Sequence, residues 1–243
     1  MITSKQNQLV KLIRSLSDKK NRDIEGLYIA EGLNTVREAL KANVQIRYIV
    51  LTERCLEKIG DVPADKLILV SQKVFDYLTC EVTPQGIMAI IEKNESPIES
   101  PSASCLFLDG VSDPANVGAI IRTAAASGYN QIYLADTADC YSPKSVRASM
   151  SGIFKIKVIK GSREQLLNAI DIPICIADMS GQSVYDVTMP DKFCLVIGNE
   201  ARGVSEEVRN LAKISVSIPM ENDMESLNAS VSAGILMYIL KRG

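Results

Sequence analysis

From residue 104 onward the chain alternates short apolar runs with helical patterns, and that alternation narrows the fold more than any other feature. The runs are "SCLFLD", "QIYLA", "FKIKVI", "IPICIA", "FCLVIG" and "ISVSIP". They are apolar nearly throughout rather than at every second residue, as strands are when both faces of their sheet are covered. Helical segments at 116–128, 162–170 and 226–241 separate several of them. The fold class expected is α/β, a mostly parallel sheet with helices on both faces. In such sheets ligands bind beyond the carboxyl ends of the strands. Three loops stand at such ends: "DGVSDPAN", "GNEARG" and "PMENDMES".

Ahead of this region the Pro/Ser/Glu-rich stretch "EKNESPIESPSAS" breaks the hydrophobic pattern. It reads as a linker over 93–103, dividing a small domain at 1–92 from a larger one at 104–243. In the first domain Leu33, Val36 and Leu40 have helical spacing, while "IRYIVLT", "KLILV" and "GIMAIIEK" read as strands. That pattern predicts a compact α/β unit.

Composition removes several chemistries. The chain has no histidine, which excludes Ser-His-Asp and Cys-His catalysis and His-ligated zinc, and no metal is expected. Its six cysteines are scattered, form no C-x-x-C pair and mostly lie in apolar runs, as reduced core residues do. No apolar run approaches the roughly 18 residues of a membrane span, and "MITSKQNQLV" lacks a signal peptide's apolar centre. A cytoplasmic protein without a membrane partner is expected. The formal net charge of −2 hides two basic segments. Residues 1–22 carry Lys5, Lys11, Arg14, Lys19, Lys20 and Arg22 against Asp18, and residues 140–163 carry Lys144, Arg147, Lys155, Lys157, Lys160 and Arg163 with no acid. Such segments are either solvated faces or the footprint of a nucleic acid.

Each loop has an ordinary structural explanation. Asn116 stands where a helix N-cap is expected, and Arg122 can face water. "GNEARG" is neither a P-loop nor a G-x-G-x-x-G, although Glu200 between two glycines at a strand end is suggestive. Ser226 can cap the last helix, whose first turns are unusually small: Ala229, Ser230, Ser232, Ala233 and Gly234.

Taken together, in order and spacing, the three segments resemble the SpoU-type (TrmH-like) RNA ribose 2′-O-methyltransferases of the SPOUT superfamily. "DGVSDPANVGAIIRTAAASG" looks like the first motif of that family and puts its Asn and Arg on Asn116 and Arg122. "LVIGNEARGVS" resembles the second, with the glutamate on Glu200. "IPMENDMESLNASVSAG" resembles the third, with the Ser and Asn on Ser226 and Asn228. One position departs: the family usually has Gly where this chain has Asn222, the non-glycine type that best tolerates left-handed geometry. The first domain, through "ITSKQNQLVKLIRSLSDKKNRD" and "YIAEGLNTVREAL", is similar to the N-terminal RNA-binding domain of the family.

The resemblance implies a parallel sheet whose C-terminal segment forms a deep trefoil knot, a homodimer through the knotted region, and S-adenosylmethionine as cofactor. It implies methyl transfer to a ribose 2′-hydroxyl of RNA. Large-subunit (23S) ribosomal RNA is the expected substrate; a tRNA-directed enzyme or a non-catalytic RNA-binding assembly factor are the alternatives. Arg122, Asn116, Glu200, Ser226 and Asn228 would form the catalytic set, and Gly198, Ile218 and Leu227 the cofactor contacts. Lys144 and Arg147 would track RNA phosphates. Arg122 would either take the 2′-hydroxyl proton, a role at odds with the near-permanent charge of arginine, or bind phosphate and the developing oxyanion.

Overall fold

The computed structural model describes residues 1–60 and 62–241. The first part builds a four-stranded sheet from β1 (Leu27–Glu31), β2 (Ile46–Leu51), β3 (Leu67–Leu69) and β4 (Ile87–Glu92), ordered β1-β4-β2-β3. Strand β4 is antiparallel to both neighbours, and β2 and β3 run parallel. Its helices are α1 (Gln8–Ser15), α2 (Lys19–Glu25), α3 (Leu33–Lys41), α4 (Glu53–Ile59) and α5 (Gln72–Leu78). Asn7, Asp18 and Ser71 start α1, α2 and α5 by accepting hydrogen bonds from amides of the first turn.

The second part is a seven-stranded sheet ordered β11-β9-β10-β6-β7-β8-β5, with parallel pairing throughout. Its strands are β5 (Glu95–Ser96), β6 (Cys105–Asp109), β7 (Gln131–Ala135), β8 (Lys157–Lys160), β9 (Ile174–Ser183), β10 (Cys194–Gly198) and β11 (Ile214–Ser217). The helices are α6 (Pro114–Ala126), α7 (Pro143–Ala148), α8 (Arg163–Ala169), α9 (Glu206–Leu211) and α10 (Ala229–Leu240). The six apolar runs all form strands, and the Pro/Ser-rich stretch adds β5 as a seventh, at the edge beside β8. Both faces are buried: Leu106, Leu108, Leu195 and Ile197 pack on one side, and Cys105, Phe107, Cys194 and Val196 on the other. The cysteines carry no disulfide; five are buried and Cys80 is exposed.

Close backbone approach is bought with a missing side chain where α6 crosses α7. A Cβ on Gly118 would lie 2.2 Å from the Ser145 carbonyl oxygen and 2.7 Å from Ala148 Cβ. The Ser145 hydroxyl shares its one hydrogen between the carbonyls of Pro114 at 2.9 Å and Asp139 at 2.8 Å, so the start of α7 is fixed to the start of α6.

The two parts are joined by a buried ion pair. Arg22 donates through Nε and Nη2 to Asp139 Oδ2 at 2.9 and 2.7 Å, and through Nη1 to the carbonyls of Leu16 and Ser17. The side chains are 3% and 6% exposed. Arg22 is therefore not part of a solvated basic face, contrary to its expected place in the charge run of residues 1–22. Beside it the rings of Tyr28 and Tyr141 lie 4.8 Å apart between centroids. Burial pushes the Asp139 carboxyl up, but the Tyr141 amide, Arg22 and Lys160 outweigh burial and hold it below the ordinary carboxylate value.

Removing one partner of such a pair leaves the other charged and buried, which typically costs about 3–5 kcal/mol. Asp139→Ala should lose stability on that scale in urea titrations at pH 7. Because the native carboxyl is depressed, the deficit against wild type should be full above the unfolded-state value and shrink as pH falls through the native one.

Candidate active site

The loops leaving β6 and β10 meet a third loop that enters α10. Asp109 ends β6 beside Gly198, which ends β10, so the two strands deliver their loops side by side. A Cβ on Gly198 would fall 2.3 Å from the Gly203 carbonyl carbon. The glycine thus lets the 199–203 loop fold back on its own strand, where Asn199 and Gly203 exchange backbone hydrogen bonds at 2.9 Å. Asn199 Nδ2 then donates to the Gly110 carbonyl at 2.7 Å, binding this loop to the first.

Glu200 organises the meeting point. One carboxylate oxygen accepts from the Ser112 amide at 3.0 Å and its hydroxyl at 2.8 Å; the other accepts from the Asp113 amide at 3.1 Å and Asn116 Nδ2 at 2.9 Å. Asn116 Oδ1 in turn accepts from Asn228 Nδ2 at 3.0 Å. Asn228 Oδ1 accepts from the amides of Ser230 and Val231, capping α10. Partial burial pushes the Glu200 carboxyl up, but its hydrogen bonds from Asn116 and Ser112 prevail and bring it to about 2.

Two expectations from sequence are corrected here. Helix α6 begins at Pro114 with Asp113 as its cap, so Asn116 lies inside the first turn and uses its amide between loops. Helix α10 is capped by Asn228, not Ser226. The Asp-Pro pair, a favoured cap followed by proline at the first helical position, was the signal for the first correction. Asn222 adopts φ +56, the left-handed geometry its residue type tolerates.

Ser226, Ile218 and Leu227 line a cavity of about 110 Å³ together with Val216, Met220 and Leu236. The lining mixes these apolar side chains with Ser217, Ser226, Ser232 and Asp178, so it offers both apolar surface and hydrogen-bonding groups to an adenosyl-bearing ligand. Gly198 is outside that wall. Arg122 projects from α6 as an exposed side chain and makes no ion pair among the described residues. It lies over Gly152, whose Cβ would come 2.9 Å from the Arg122 Cα. Lys144 and Arg147 are both engaged: Lys144 pairs with Asp113 at 2.7 Å, and Arg147 pairs with Glu81.

Sequence reasoning missed a second hollow of about 390 Å³, bordered by Asp109, Gly110, Arg163, Asn199, Arg202 and Ser205. Within it Arg163 from the second basic segment pairs with Asp109 at 2.7 Å and Asp136 at 3.0 Å. No spacing rule could pair residues so far apart in sequence.

Comparison with known proteins gives concordant matches. Residues 103–238 match the SpoU rRNA Methylase family, and residues 7–89 match an MRM3-like substrate binding domain. The chain is 30% identical to the 23S rRNA (guanosine(2553)-2'-O)-methyltransferase RlmP of Bacillus subtilis (strain 168), over 99% of this chain and 98% of that protein. It is 26% identical to a 23S rRNA (uridine(2479)-2'-O)-methyltransferase of Streptomyces viridochromogenes, covering 98% and 90%. The crystal structure of the AdoMet-bound rRNA methyltransferase from Sinorhizobium meliloti superposes with a TM-score of 0.89 at 30% identity, covering 99% of this chain and 97% of that one.

The depressed carboxyl of Glu200 ties loop integrity to pH. Ionised Glu200 contributes stability that is complete above about 4.5, its ordinary value, and is lost as pH falls towards about 2. The stability difference between wild type and Glu200→Gln, from urea titrations across that range, should therefore be constant above pH 4.5 and vanish at the acid end.

Proposed function

This chain belongs to the SpoU rRNA methylase family, and we propose that it methylates a ribose 2′-hydroxyl of 23S ribosomal RNA with S-adenosylmethionine as the methyl donor. The observation that carries the reading is the run of hydrogen bonds from Glu200 through Asn116 to Asn228, which joins the three motif loops beside the Ile218–Leu227 cavity. A chain that only bound RNA would have no use for a depressed carboxylate holding those loops in register. The relatives named for 23S rRNA favour that RNA over tRNA, and they differ between guanosine and uridine as the target.

The cofactor supplies an electrophilic methyl carbon on a sulfonium. Ile218 and Leu227 would hold its adenosyl group, with Gly198 allowing the loop above to close down. Asn116, Glu200, Ser226 and Asn228 are positioning residues that keep the loops where acceptor and donor can align; alignment of this kind contributes much of the acceleration available to a methyl transfer. Arg122 acts as a fixed cation. It binds a phosphate of the substrate and stabilises charge developing on the 2′-oxygen, whose proton leaves to solvent. Lys144 and Arg147 would meet further phosphates by exchanging their carboxylate partners.

The same reading makes the chain a homodimer through its C-terminal domain, with the last segment following the knotted path of the family. Helix α10 supports both: its first turns are small, and Val231 and Tyr238 stay 49% and 44% exposed on an otherwise apolar helix. Among the described residues no helix is long and apolar enough to cross a membrane, and the likeness to bacterial 23S rRNA methyltransferases supports the cytoplasm as its workplace.

Calorimetry with purified chain should detect S-adenosylmethionine binding, and ribose-methylation mapping should show one 23S position lost when the gene is deleted. Arg122→Ala should slow methyl transfer by about 100-fold or more while leaving cofactor affinity unchanged. Unchanged transfer in that variant removes Arg122 from the chemistry.

A further inference from the structure

Twelve of the 27 Lys and Arg residues make ion pairs among the described residues. Lys19, Arg22, Lys41, Arg47, Lys93, Lys144, Arg147, Lys155, Lys157, Lys160, Arg163 and Arg209 each lie against a carboxylate. Among the unpaired ones, three are gathered at one place beside an aromatic ring. Lys5, Arg14 and Lys73 converge on an open hollow of about 490 Å³ in the first domain, shared with Asp76, Tyr77 and Thr79. None of the three makes an ion pair among the described residues. The carboxylate present, Asp76, is occupied by Gln72 Nε2 at 2.6 Å.

The hollow forms where α1 meets α5. Val10 and Ile13 of α1 and Val74, Phe75 and Leu78 of α5 are buried in one apolar cluster, which fixes the two helices against the sheet. Arg14 of α1 and Lys5, which precedes that helix, lie over the half-buried ring of Tyr77 on α5, and Lys73 of α5 lines the same hollow. Lys5 Nζ stands 4.7 Å from the ring centroid and the Arg14 guanidinium carbon 5.4 Å. Cations gathered on an aromatic ring, with unspent charge and open space in front, suit a polyanion that also offers flat π-faces. Nucleic acid has both, and its base faces are exposed only where the strand is unpaired.

A line of paired side chains leads from the hollow towards the reactive loops. Thr79, on its rim, is two residues from Glu81, which pairs with Arg147 on α7. The same helix carries Lys144, paired with Asp113, whose amide donates to Glu200. A strand gripped at Tyr77 and running along this line reaches the catalytic domain across α7.

We propose that the Tyr77 hollow is where the first domain grips an unpaired segment of the RNA substrate, with a base stacked on the Tyr77–Arg14 surface and phosphates held by Lys5 and Lys73. The assignment rests on the RNA methyltransferase reading given above. Filter binding of the full chain to unmodified, in vitro transcribed 23S rRNA tests it. Tyr77→Ala should weaken binding about tenfold, the scale of one lost stacking contact, while Tyr77→Phe, which keeps the ring, binds as wild type. Lys5→Ala combined with Lys73→Ala changes only exposed side chains and should reduce the slope of log K against log salt by about two. Calorimetric S-adenosylmethionine binding, read in the other domain, should be the same in every variant. If Tyr77→Ala does not fold, the double lysine variant decides. Variants that bind cofactor normally and hold RNA as tightly as wild type, with the same salt slope, overturn the assignment and point to a protein partner instead. Wild-type chain that binds neither cofactor nor RNA overturns the methyltransferase reading itself.

Discussion

A carboxylate can only accept hydrogen bonds, and the arrangement of the three loops follows from that restriction at Glu200. Because Glu200 needs donors, Asn116 must turn its NH2 group towards it. That leaves the Asn116 oxygen facing Asn228, which must therefore present its own NH2 group. Asn228 is then left with its oxygen towards α10, where the first amides need an acceptor. The orientation of two side-chain amides and the start of a helix are thus dictated from one ionised group. A protonated Glu200 would present a donor in the same place and remove the reason for each later orientation.

The framework under these loops is held by close backbone contact and by one buried charge pair. Gly118 and Gly198 sit where a single methyl group would overlap backbone atoms of α7 and of the 199–203 loop. The Arg22–Asp139 pair joins the two parts, with each guanidinium nitrogen engaged by one carboxylate or two carbonyls. It sits next to the Tyr28–Tyr141 contact, so the domain junction combines apolar packing with a charge pair that tolerates little displacement.

The strands of the larger sheet were legible because burial of both faces writes itself as an uninterrupted apolar run. The two-residue β5 was not, since its pairing with β8 uses backbone groups that any residue carries. By sequence the cap falls on Asn116, although the proline after Asp113 marks the true one, whereas the partner of Asn116 lies 84 residues away and no local pattern encodes it. Ser226 and Asn228 are both good capping types, and only the position of Glu200 and Asn116 selects between them. The basic segments show the same limit. Composition counts Arg22, Arg163 and Lys5 alike, yet the first two are spent on internal carboxylates while Lys5 rests on Tyr77 without one.

The strand order has a consequence for the birth of the protein. Strands β6 and β10 lie side by side at the middle of the sheet, but 89 residues of chain separate the contacting positions at their ends. The loops they carry are completed by a helix at the far C-terminal end of the described chain. Such non-local pairing must await a large loop closure, which makes it slow relative to helix formation. During synthesis the first domain, with its own sheet and apolar cluster, can therefore settle long before the reactive loops come together. A growing chain on the ribosome would carry the first sheet and its α1–α5 cluster while Arg22 and Tyr28 still awaited Asp139 and Tyr141, and the three loops would meet only once α10 had been made.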